Sequence, residues 1–101
     1  MELQEKSEID IQFYLGNKFK YTKHPAAYIR DTVTVTDHYG KEYYFTDVDS
    51  LVLVVVDFLC DISGCDYKLK FIYKGETALT KWYTEEEMIH AIQNDWLKEL
   101  K

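Results

Sequence analysis

The sequence predicts an α+β fold of repeated β-hairpin/helix (ββα-type) units, forming an antiparallel sheet of about six strands with two helices packed on one face. Two observations carry that expectation. Thr46 to Ile62 aligns without a gap on Thr84 to Leu100: Thr46/Thr84, Asp57/Asp95 and Leu59/Leu97 are identical, and Leu51/Ile89, Val54/Ile92, Phe58/Trp96 and Ile62/Leu100 are conservative. The pairs Tyr44/Trp82 and Phe45/Tyr83 extend the match upstream, and each copy follows a glycine turn, at Gly40 and Gly75. The second observation is that the segments before each copy alternate apolar and polar residues, the signature of a half-buried strand. A fainter third copy opens the chain, where GNKFKYT from Gly16 superposes on GKEYYFT from Gly40. The reading is one domain over residues 1–101, with units at about 8–30, 31–63 and 66–101.

Taken in order, Ile9, Ile11, Phe13 and Leu15 alternate with polar or amphipathic residues, and Gly16-Asn17 turns the chain back into Lys18 to Tyr21. Lys23 to Tyr28 holds Pro25 and admits at most a turn of helix. Asp31 to Asp37 alternates threonine and valine, His38 to Lys41 turns, and Glu42 to Phe45 returns as a second hairpin. In Thr46 to Ile62 the signals conflict. Leu51 to Val56 is rich in β-branched residues, which favour strands, but its counterpart Thr84 to Leu100 has a capping threonine, acids in the first turn and lysine near the end. The alignment therefore predicts two helices of about four to five turns. Between them Tyr67 to Tyr73 and Leu79 to Tyr83 form a third hairpin across Gly75.

Composition narrows the function classes. A net charge of −6 disfavours nonspecific attraction to nucleic acid or anionic membrane. The charged N-terminus and the short apolar run Leu51 to Val56 predict neither signal peptide nor membrane span, so a cytoplasmic protein is expected. Cys60 and Cys65 are too few for a secreted disulfide framework and lack the companions of a structural zinc, so they read as small buried thiols. His24, His38 and His90 are scattered, and the chain holds no nucleophile elbow, phosphate loop or paired-histidine helix. Asp47 to Asp49 and Glu85 to Glu87 read as acids at helix N-termini. The expectation is no enzyme, no catalytic residue, no metal and no cofactor.

Three surfaces emerge from the predicted fold. Asp57, Asp61, Asp95 and Glu99 would line an acidic helical side. Strand alternation sends Tyr14, Lys20, Tyr44, Lys68, Lys70, Ile72, Lys74 and Trp82 to the sheet face away from the helices. Val48, Val52, Val55 and Val56 would widen the apolar stripe of the first helix into a face for burial or for a homodimer. The leading reading is a small acidic cytosolic protein-binding module, an inhibitor from a phage or mobile element that occludes a nucleic-acid-handling target, with the acids imitating phosphates. The alternatives are single-stranded nucleic-acid binding on the aromatic and lysine face, and a structural homodimer on the valine face.

Overall fold

The computed structural model describes residues 13–22, 28–29 and 32–100. They form strands β1 (Lys18–Tyr21), β2 (Tyr28–Ile29), β3 (Thr32–Thr36) and β4 (Glu42–Phe45), followed by a 3-10 turn (Val48–Ser50). Strands β5 (Leu51–Asp61), β6 (Gly64–Tyr73) and β7 (Glu76–Thr84) come next, then helix α1 (Glu85–Gln93) and strand β8 (Leu97–Leu100). A five-stranded antiparallel sheet has the order β7-β6-β5-β1-β8, and a smaller sheet the order β2-β3-β4. The expected architecture of two helices on a six-stranded sheet, in repeated ββα units, is therefore wrong: the described residues contain one α-helix and are mostly strand. The Ile9 to Gln12 part of the first expected strand and the Lys23 to Ala27 segment lie outside the described residues.

The correction centres on Thr46 to Ile62. Where the alignment predicts a helix, the chain makes a short 3-10 turn and then β5, the eleven-residue centre of the large sheet. Local chemistry decides it, because four of the six residues from Leu51 to Val56 are valine, whose β-branched side chain is restricted in a helix and packs well on a pleated surface. Leu51, Leu53 and Val55 are buried on the covered face, opposite Tyr73, Phe71 and Leu69 in register. Leu59 and Ile62, which the helical stripe would bury, are 65% and 89% exposed. The second copy fails differently. Thr84 does cap a helix, accepting from the Glu87 amide while the Glu87 carboxylate accepts from the Thr84 amide, a reciprocal box worth about 1 kcal/mol. That helix stops after nine residues, Asp95 adopts φ of 61°, and Leu97–Leu100 pairs with β1 instead of continuing the helix.

Turns fix the registers. Lys74 and Gly75, with φ of 53° and 85°, take the paired left-handed conformations that a tight β6–β7 hairpin needs. In the β3–β4 turn the Asp37 carboxylate accepts hydrogen bonds from the amides of Tyr39 (2.9 Å) and Lys41 (3.0 Å) and from the Tyr43 hydroxyl (3.2 Å). Desolvation works against ionisation of Asp37, but those bonds together with the nearby Lys41 charge outweigh it and hold the carboxyl below its ordinary range. A carboxyl whose folded pKa is depressed adds stability above its unfolded value, about 3.9, and that contribution disappears as pH falls through the folded value. The Asp37 carboxyl carbon, followed by NMR during acidification, is expected to titrate with a midpoint below 3.9; a midpoint at or above that value would contradict the turn geometry.

At the β5–β6 turn Asp61 accepts from the Ser63 amide at 2.8 Å, and one residue pair further in Cys60 and Cys65 stand opposite each other and form a disulfide. The expectation of free thiols is thus corrected. Disulfides are rare in reducing compartments, so the cysteines lend no support to a cytoplasmic location. Among the described residues no helix is long and apolar enough to cross a membrane.

The core lies on one face of the five-stranded sheet. Phe19, Leu53, Tyr67 and Phe71 are fully buried there, each 0% exposed. Met88 of α1 seals one end, while Val33, Val35 and Phe45 of the smaller sheet seal the other, where the Phe45 ring lies 6.3 Å from Phe71 and 5.0 Å from Tyr73. The two sheets are also tied by polar links, with the Asp47 amide donating to the Tyr73 hydroxyl and Lys81 Nζ donating to the Thr36 carbonyl.

Candidate functional site

The opposite face of the large sheet is the candidate site. Residues directly opposite in an antiparallel register share a face, so the ladders can be read across the sheet. One row runs Leu100, Lys18, Val54, Lys70, Thr80. A neighbouring row contains Lys98 opposite Lys20 on one side and Val52 opposite Ile72 on the other. A third contains Asp57, Lys68 and Trp82, and a fourth Leu59, Asp66 and Thr84. The smaller sheet, α1 and Phe13 all pack on the core face, against side chains such as Phe71, Leu69 and Tyr67, which leaves the opposite face uncovered by any described element.

Strand sequences put the lysines there for a simple reason. In Lys18-Phe19-Lys20 and Lys68-Leu69-Lys70-Phe71 each apolar residue is buried and its neighbours point to the other side. Lysines two apart on one strand are about 7 Å apart, and those on β1 and β6, separated by β5, about 10 Å. Val52, Val54, Ile72 and Trp82 fill the space between them and are half-buried, as expected where long lysine stems lie over apolar side chains. Lys68 Nζ sits 6.0 Å from the Trp82 ring centroid, within reach of a cation–π contact. Lys20 is anchored at the rim, where its Nζ donates to the Asp49 carbonyl at 2.8 Å and lies 4.0 Å from the Asp49 carboxylate. In a chain of net charge −6 this face is a local reversal of sign.

The residues expected at the aromatic and lysine face divide accordingly. Lys20, Lys68, Lys70, Ile72 and Trp82 come together, whereas Tyr44 is exposed on β4 of the smaller sheet and Tyr14 in the turn before β1. Lys74 belongs to the β6–β7 turn. Lys18 and Lys98 join the face without having been expected. The Lys-Phe-Lys alternation already marks Lys18, but Lys98 was hidden by the helical reading of Leu97 to Leu100.

The acidic helical side does not form, because its first half is a strand. Asp57 lies on the open face beside Lys68, Asp61 closes the β5–β6 turn, Asp95 occupies the turn after α1, and Glu99 stands opposite Phe19 on the covered side of edge strand β8. The valine face is likewise split. Val48 and Val55 are buried, Val52 is on the open face, and Val56 is the exposed extra residue of a β-bulge. No family model, curated protein or solved structure matches this chain.

Proposed function

We propose that this chain is a protein-binding module that receives an acidic partner segment on the open face of its five-stranded sheet. The observation that supports this reading most directly is the grid of Lys18, Lys20, Lys68 and Lys70 around the half-buried Val52, Val54 and Ile72. An apolar centre with a charged rim is the anatomy of a protein interface, and the rim charges chiefly set encounter rate and specificity. The lysine spacing of about 7 Å along a strand matches acids carried at every second residue of an extended segment. Binding of single strands of nucleic acid favours several stacking rings, and on this face Trp82 is the ring that the ladders place among the lysines. The net negative charge also weakens the long-range attraction that nucleic-acid binders exploit.

A defined probe tests the reading. An alternating Glu-Val peptide is expected to shift the Trp82 indole N–H resonance in NMR spectra saturably, with affinity that falls as salt rises. A variant with Lys18, Lys20, Lys68 and Lys70 all changed to Gln, verified as folded by circular dichroism, is expected to lose at least about tenfold in affinity, on the order of 1.4 kcal/mol. Equal peptide binding by the variant refutes the assignment to this face. If instead an oligothymidine of equal charge binds the unaltered protein more tightly than the peptide, the face is a nucleic-acid platform and the proposal is wrong.

A further inference from the structure

The covered face contains a cavity of about 230 Å3 where α1 crosses the sheet. Its floor is apolar, formed by Leu53 and Leu69 from the sheet, Met88 from α1 and Leu97 from β8, and its walls carry the rings of Tyr21, Tyr83 and Trp96. Glu87 and His90, both exposed on α1, mark where it opens. The topology explains the space. The helix leaves edge strand β7 and must reach β8 at the other edge, so it bridges β6, β5 and β1 and only Met88 is fully buried beneath it. A cavity of about 150 Å3 lined wholly by apolar side chains is enough for benzene. This one is larger and differs in having electron-rich tyrosine and tryptophan rings in its walls and a carboxylate at its mouth.

The Tyr21 and Tyr83 hydroxyls come within reach of a hydrogen bond to each other. Burial pushes the Tyr21 phenol up to about 12, moderated by that bond, and burial together with the Tyr21 neighbour pushes Tyr83 up further, so both rings are neutral at physiological pH. The Glu87 charge is near enough to bear on the Tyr83 hydroxyl. Neutral phenol and indole rings offer negative π faces, and a nearby carboxylate supplies a full negative charge, a combination that favours a weakly hydrated organic cation over an anion or a neutral solute. Among the described residues, the cavity lining contains no lysine or arginine to oppose such a guest.

We propose that this cavity binds a small organic ammonium group, of the quaternary or methylated type, held among the Tyr21, Tyr83 and Trp96 rings with Glu87 as counter-charge. The site is separate from the lysine face, on the other side of the sheet, and does not depend on the reading of that face. The capping box offers an unusually clean control. Glutamine serves at the third helical position as well as glutamate does, so Glu87→Gln removes the charge while keeping the bond that starts the helix.

The test is titration of the full chain with benzyltrimethylammonium and, separately, with its uncharged carbon isostere neopentylbenzene, read by NMR at the Met88 methyl group and calorimetrically. Saturable Met88 shifts with the ammonium ligand, at least tenfold weaker binding of the isostere and a tenfold loss in Glu87→Gln are expected. Equal or tighter binding of the neutral isostere would show a site that reads shape alone and would overturn the proposal. So would unchanged ammonium affinity in Glu87→Gln, or the absence of any Met88 shift at millimolar ligand.

Discussion

Phe71→Ala is expected to remove a large part of the stability of this protein. The ring is completely buried towards the C-terminal end of β6, with Leu53 and Leu79 beside it in the adjacent strands and the rings of Phe45 and Tyr83 at 6.3 and 6.4 Å. It touches both the large sheet's own core and the smaller sheet, so no single neighbour can collapse into the space left behind. Large-to-small changes of this kind cost about 3–5 kcal/mol, against a total of about 5–15 kcal/mol for an ordinary domain. At about 4–8 °C per kcal/mol, the thermal midpoint should fall by tens of degrees or the cooperative transition should vanish. Ile72→Ala, one residue along on the open face, is expected to cost much less, because Ile72 is only half-buried and solvent can fill the space it leaves. Urea denaturation of the two variants checks this directly. Comparable losses would mean that the two faces of β6 are not divided as described.

Much of the β structure is legible in the chain because its signals are local. Thr32–Thr36 alternates small β-branched residues, Asp37 and Gly40 supply the turn chemistry, and Glu42–Phe45 returns. The same holds for β6, Lys74-Gly75 and β7. Alternation also sorts Lys68, Lys70 and Trp82 from Leu69, Phe71 and Tyr83 before any coordinates are needed. What the chain does not display is which strands are neighbours. Tyr14 and Tyr44 share the polar phase of the alternation with Lys68, yet they belong to other elements, so phase alone could not place them on the site.

The misread segment is instructive for its cause. Thr46/Thr84 and the acids after them are a helix-start pattern, and at Thr84 they start one. At Thr46 the same residue types lead into Val48–Ser50 and stop, since four of the next six residues are valine. A similarity of polar punctuation does not override a run of β-branched side chains that can pair on both flanks. The end of α1 carries its own warning in Asn94-Asp95, residues that readily take turn and left-handed conformations. The cavity residues are the least legible of all. Tyr21, Tyr83, Met88 and Trp96 come from four places in the sequence, and only the crossing of α1 over the sheet brings them together.

A shortened chain lacking one valine from the Val54–Val56 run is expected to fold, although the missing residue comes from the central strand. The β5–β6 register pairs Val55 with Leu69 and Asp57 with Lys68, so Val56 is an extra residue without a partner on β6. The bulge keeps Leu53, Val55 and then Phe58 all on the covered side, by inserting one residue between two otherwise regular stretches. Because the three residues are identical, deleting any one gives the same chain, in which strict alternation now carries Leu53, a valine and Phe58 to the same face. A helix would respond otherwise, since losing one residue rotates everything beyond it by about 100° and would scatter the apolar stripe. Deleting Lys70 from β6 is the contrasting case. No extra residue is available there, so all side chains on one side of the deletion swap faces and either Tyr67 and Leu69 or Phe71 leaves the core. The valine deletion should keep a cooperative thermal transition and a β-type circular dichroism spectrum, and the Lys70 deletion should show neither. Loss of the transition in the valine deletion would mean that the bulge is itself required to bend β5, and retention of it in the Lys70 deletion would contradict the register on which the division of the sheet into a buried and a lysine-bearing face depends.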